Sequence, residues 1–174
     1  MCIIAQDPVL FSGSLRECLD PWGVSTDEKI VEALQMVKVA NVEKRGSAAL
    51  EDYVDEGGRN YSVGERQLLC LARAVLYEPK VLVLDEATAS VDGDTDAFIQ
   101  EMIRTRFKGT TLLTVAHRLN TIMDYDVILA MDGGKVAEFG RPVDLLKDEN
   151  GLFSSLVDST GKESSAALRN MVRD

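Results

Sequence analysis

Val81-Leu82-Val83-Leu84-Asp85-Glu86 is the stretch that decides the fold. A four-residue apolar run of this kind suits a strand covered on both faces, as in parallel sheets. Such a strand delivers its last residues to the C-terminal edge of the sheet, where open α/β folds bind ligands. Side chains alternate along a strand, but beyond its end two neighbouring carboxylates can turn toward one site. One can then hold a hydrated magnesium ion while the other polarises a water. The plainer reading, a strand that ends in two solvated acids, stays open at this point.

Working outward, Met1 to Ala5 is a short apolar run ending at Gln6-Asp7-Pro8, the profile of a buried strand running into a loop. The spacing of Ile30, Val31, Leu34, Val37 and Val39, with Asp27 and Glu28 in the first turn, predicts a helix over 27–41. Gly57-Gly58 breaks the chain, and helix signals run from Ser62 to about Tyr77, closed by Pro79. Downstream, a helix is expected from Asp94 to Phe107, with Phe98, Ile99, Met102, Ile103 and Phe107 facing the core. Thr110 to Val115 and Val127 to Met131 read as further strands, and Gly133-Gly134 as a hairpin turn. From Ser159 the composition turns polar, and a loosely held tail is expected. Strands alternating with helices give an α/β fold with a largely parallel sheet.

The 174 residues, 45% of them hydrophobic, can bury one sizeable core. No apolar run approaches the roughly 20 residues that span a bilayer, and no secretory signal is recognisable. The formal net charge is −10 with no basic stripe, which disfavours nucleic-acid binding because phosphate contacts need clustered Lys and Arg. Cys2, Cys18 and Cys70 are widely spaced around a single histidine, so zinc is disfavoured and reduced structural thiols are expected.

Tyr61-Ser62-Val63-Gly64-Glu65-Arg66-Gln67 precedes a helix. Ser62 and Glu65 have the spacing of a capping box. The same geometry offers N–H groups and the positive dipole end to an anion, with Gly64 allowing close approach. Plain capping and anion binding both stay open. His117 follows the 110–115 strand and could donate to a phosphate oxygen, or be structural. Gln6 also follows a strand, and its neutral amide can touch a metal or water.

Taken in order, Gln6, Ser62–Gln67, Asp85-Glu86, Ser90-Val91-Asp92 and His117-Arg118 resemble the Q-loop, signature, Walker B, D-loop and H-loop of ABC ATPases. The resemblance runs from Ile3 to about Phe153. Gln6-Asp7-Pro8-Val9-Leu10-Phe11-Ser12-Gly13-Ser14-Leu15-Arg16 and Leu19-Asp20-Pro21 look like the C subfamily, the multidrug-resistance-associated proteins. Ser62-Val63-Gly64 and Glu86 look like the second nucleotide-binding domain of that subfamily. The resemblance implies ATP and Mg²⁺ as ligands, with Asp85 and Gln6 serving the metal. Glu86, His117 and Gln6 would be catalytic. Ser62, Val63, Gly64, Glu65 and Asp92 would meet nucleotide, Ser62 and Gly64 covering the γ-phosphate held by an opposite domain. It also implies transmembrane domains and a second nucleotide-binding domain as partners, no nucleic acid, and a place at the cytosolic face of a membrane within an integral transporter.

No G-x-x-x-x-G-K-[ST] motif occurs, and Gly57-Gly58 and Gly133-Gly134-Lys135 lack its spacing and setting. The expected fold is therefore a partial ABC-type P-loop NTPase: a parallel core sheet plus a helical signature subdomain, without the Walker A strand or the N-terminal β-subdomain. Residues 1–11 and 79–157 would form the core lobe, 12–78 the helical subdomain and 158–174 a polar tail. The strand before His117 and the strand over 127–131 should then lie unpaired with each other or be pulled together abnormally. Tyr61 and Glu65 depart from the usual Leu and Gln of the signature. Glu65 places charge near a phosphate site while improving the cap.

Four other readings compete. A Ca²⁺ loop over Asp92, Asp94 and Asp96 fails at Ala97 and Ile103, and no G-x-S-x-G supports a serine hydrolase. A lobe of a split chromosome-maintenance or DNA-repair ATPase head would need a long heptad coiled coil, and none is present. A non-catalytic remnant that pairs with an intact domain remains open.

Overall fold

The computed structural model describes residues 1–85, 91–116 and 118–172. It divides into two compact units, Met1–Val115 and Ala116–Asp174.

The first unit contains β1 (Cys2–Ile4), β2 (Gly13–Ser14), α1 (Leu15–Leu19), α2 (Asp27–Met36), α3 (Ala40–Arg45) and β3 (Tyr53–Val54). These are followed by α4 (Val63–Tyr77), β4 (Val81–Asp85), α5 (Gly93–Arg106) and β5 (Thr111–Val115). β1, β4 and β5 form a parallel sheet with β4 in the middle. The register aligns Ile4 with Leu84 and Thr114, and Ile3 with Val83 and Leu113. Because side chains alternate, Ile4, Leu82 and Leu84 enter one buried cluster with Leu71, Val75, Ile99 and Ile103. The alternate row is open, with Ile3 56% and Leu113 58% exposed. The strand over 81–84 is thus fully buried on one face only. An unbroken apolar run records what each side chain can tolerate, and the register decides which of them is covered.

The helix expected over 27–41 is interrupted. Val39 N–H donates to the Leu34 carbonyl and Lys38 N–H to that of Gln35, a Schellman closure with Lys38 at φ 57°. The turn buries Leu34, Val37 and Val39 together before α3 begins. α4 follows its signals closely. Ser62 caps it, Cys70, Leu71, Ala74 and Val75 are buried along it, and Glu78 ends it in a left-handed conformation ahead of Pro79.

Gly58, just before α4, has φ +69°, and a Cβ there would lie 2.6 Å from Leu10 Cδ1 and 2.9 Å from Arg66 Cδ. Gly57 has φ +70° but open space around it. Gly58→Ala is expected to cost about 2–4 kcal/mol, from left-handed strain plus overpacking. Gly57→Ala should cost only about 1 kcal/mol, from conformation alone. Urea unfolding of the two variants, compared with the unsubstituted chain, checks the difference.

The second unit carries an antiparallel hairpin, β6 (Ile128–Asp132) and β7 (Lys135–Gly140). Gly133 and Gly134 supply the two positive φ values, 53° and 75°, of a type I′ turn. α6 (Pro142–Leu145), α7 (Leu152–Asp158) and α8 (Lys162–Met171) follow. Among the described residues β5 pairs with β4 alone and β6 with β7 alone. The polar segment after Asp158 carries α8. Leu168 of α8 packs with Met123, Phe153 and Val157. The Asp158 carboxylate accepts from Ser165 Oγ at 2.6 Å and Arg169 Nη2 at 2.9 Å. A narrow stripe of one leucine and one serine suffices for docking when the polar residues beside it have partners.

Candidate functional site

The parallel register brings the C-terminal ends of three strands to one sheet edge. Gln6 lies two residues past β1, Asp85 ends β4, and Val115, paired with Asp85, ends β5 two residues before His117. Gln6 and Asp85 are both exposed there. Glu86, Ser90 and His117 lie outside the described residues. An amide and a carboxylate at this edge are hard oxygen donors, and they fit a magnesium ion that keeps most of its waters.

The first turn of α4 lies against the first turn of α5. A Cβ built on Gly64 would be 3.6 Å from Thr95 Cγ2 and 4.0 Å from Asp92 Oδ2. Each helix is capped by its own side chain. Ser62 Oγ accepts from Glu65 N–H at 3.2 Å, and Glu65 Oε2 accepts from both the Ser62 N–H and the Ser62 hydroxyl at 2.8 Å. Asp92 accepts from Thr95 N–H at 3.0 Å and from the Thr95 hydroxyl at 2.7 Å. Those two hydrogen bonds hold the Asp92 carboxyl below the usual carboxylate range. The capping reading of Ser62 is met in full: the box is made, and the Ser62 hydroxyl already donates to the Glu65 carboxylate. An anion arriving at this helix end would have to draw the hydroxyl away from Glu65.

The sequence reading missed what holds the Gln6 loop. Gln67 is 3% exposed, and its Nε2 donates to the carbonyls of Ala5 at 3.1 Å and Gln6 at 3.0 Å. Farther along α4, Arg73 donates from Nη1 to the Val9 carbonyl at 3.1 Å and from Nε to the Cys18 carbonyl at 2.8 Å. The available signal was the position of Gln67 one turn before Leu71 and two before Ala74, on the buried side of its helix.

The ABC transporter family profile matches residues 1–89, the half of the chain that carries β1, the capped start of α4 and the β4 edge. This chain belongs to the ABC transporter family. It is 51% identical over 173 residues to ABC transporter C family member 3 of Dictyostelium discoideum, covering 99% of this chain and 12% of that protein. It is 46% identical over 168 residues to human ATP-binding cassette sub-family C member 4, covering 97% of this chain and 13% of that one. A solved structure of a bacterial Atm1-family ABC exporter with ATP bound superposes with a TM-score of 0.80 at 31% identity, over 94% of this chain and 28% of the exporter. The chain thus spans about an eighth of the curated relatives' length.

Within this ABC-family chain the cysteines stand apart from the site chemistry. Burial pushes the Cys70 thiol up to about 11, so it stays protonated and unreactive. Cys18 accepts a hydrogen bond from Arg73. Among the described residues no helix is long and apolar enough to cross a membrane.

Proposed function

We propose that this chain is part of the ATP-binding and hydrolysing domain of an ABC exporter. In this reading it works at the cytosolic face of a membrane, with transmembrane domains and a second nucleotide-binding domain in a head-to-tail sandwich. The observation that carries the reading is the parallel register of β1, β4 and β5, which brings Gln6, Asp85 and Val115 to one edge. Magnesium, when bound, screens the charge that builds on the transferring phosphoryl oxygens. Asp85 and Gln6 would hold it, by way of its waters. Glu86 accepts the proton of the attacking water, and His117 donates a hydrogen bond to the γ-phosphate. Ser62, Val63, Gly64 and Glu65, with Asp92 beside them, face the nucleotide of the opposite domain, where α4 presents its N–H groups and positive dipole end. We read Ser62-Val63-Gly64 and Glu86 as marking the second of two nucleotide-binding domains, and the names of the relatives support the C family itself.

The test is a chimera. This chain replaces the 173 matched residues of the Dictyostelium relative, and ATP hydrolysis is measured in membrane vesicles. Turnover within about tenfold of the parent is expected, given that the chain brings the groups that act on the γ-phosphate. A chimera that inserts and binds ATP yet hydrolyses none would favour a non-catalytic partner role and overturn the proposal.

A further inference from the structure

We propose that Gln67 is a positioning residue that fixes the place of Gln6 relative to the signature helix α4, so that loop and helix move as one body. The inference rests on the reading above, in which Gln6 serves the nucleotide site.

Gln67 is separated from Gln6 by 61 residues, yet its amide reaches the two peptide carbonyls from which the Gln6 loop departs. The side chain is almost wholly buried, and its Oε1 has no hydrogen-bond partner. A buried acceptor without a donor costs about 1–3 kcal/mol. If the role of Gln67 were only to fill volume, leucine or methionine would fill it without that cost. The two donated bonds are what the glutamine adds, and both go to the loop. Arg73 binds the carbonyl of Val9 from the same helix, so α4 holds the segment 5–9 at both ends. Neither hydrogen bond uses a loop side chain, which leaves Gln6, exposed at the sheet edge, available for a ligand. A displacement of Gln6 of the order of an ångström would therefore pull on α4, whose first turn carries Ser62 and Gly64. Conversely, a rotation of α4 would shift Gln6.

The experiment has two arms. In the purified 174-residue chain, Gln67→Met removes both bonds at nearly constant volume. Amide hydrogen exchange across residues 5–10 should rise at least about tenfold, given the loss of two bonds worth about 1 kcal/mol each. Exchange across Val81–Asp85 should stay unchanged, which also reports that the variant is folded. Equal exchange at the loop in both forms would overturn the proposal. So would faster exchange throughout the sheet, because Gln67 would then be a general support of the fold.

The second arm is a double-mutant cycle in the chimera with Gln6→Ala. Displacing a group by about 1 Å can cost up to about 100-fold in rate, so Gln67→Met should lower kcat by about 10- to 100-fold. If it acts through Gln6, the double variant should be no slower than Gln6→Ala alone. Effects that multiply would mean independent roles and would sink the inference. Failure of the reading beneath it looks different: the unsubstituted chimera itself would not turn over.

Discussion

Titrating Mg·ATP into the purified 174-residue chain is expected to give neither a micromolar binding isotherm nor phosphate release. In the proposed reading, Asp85, Glu86, Gln6 and His117 act on a γ-phosphate that another element must already hold in line. In P-loop enzymes the holder is the glycine-rich loop with its lysine, which supplies most of the fixed positive field on the β/γ-phosphates, and this sequence contains no such motif. Ser62 and Gly64 cannot replace it, since the Ser62 hydroxyl is engaged by the Glu65 carboxylate and the proposed geometry turns this helix end to a partner's nucleotide. A net charge of −10 further opposes binding of ATP⁴⁻ without such a cradle. Two copies of the chain would lack the loop twice over, so dimerisation offers no rescue. Calorimetry with a parallel phosphate-release assay decides the matter. Micromolar binding with turnover that depends on Glu86 would defeat the expectation. Binding that appears only when an intact nucleotide-binding domain is added would agree with it.

The second large effect belongs to Glu86. In the chimera with the Dictyostelium relative, Glu86→Gln should preserve ATP binding and lower the rate of hydrolysis by a factor of roughly 10²–10⁴, the usual scale for removing a general base. The substitution keeps size and hydrogen-bonding reach and removes only the ability to take a proton from water. It also removes one negative charge next to bound phosphate, so nucleotide should dissociate no faster than before. Nucleotide retention in vesicles and single-turnover hydrolysis separate the two effects. Hydrolysis surviving within a few-fold would show that the proton goes elsewhere. The adjacent Asp85 gives a contrast: in the proposed reading Asp85→Asn acts on the magnesium site, and its defect should shrink as magnesium is raised, while that of Glu86→Gln should not.

Much of this protein was legible in the sequence because it is encoded locally. An apolar run ending in Asp85-Glu86 marks a strand and its edge without reference to anything distant. Ser62 and Glu65 specify the start of α4 through bonds that span three residues, and Asp92 does the same for α5. Gly133-Gly134 fixes the hairpin because only positive φ closes a turn that short. The ordered set of motifs, taken together, was enough to point to the family. What the tertiary structure alone decided depends on partners far along the chain. α2 ends at Met36 in a left-handed turn at Lys38 that leaves Leu34, Val37 and Val39 all buried, an outcome that helical periodicity does not contain. The row Ile3–Val83–Leu113 is left half open although its residues are as apolar as those of the covered row, because coverage depends on what packs against a sheet and not on the strand itself. Leu168 draws a polar segment onto Phe153 and Val157 once Asp158 can bind Ser165 and Arg169. The contact between Gln67 and the Gln6 loop joins positions 61 residues apart, a distance over which hydrogen-bonding partners are chosen by packing and by nothing in the neighbouring sequence.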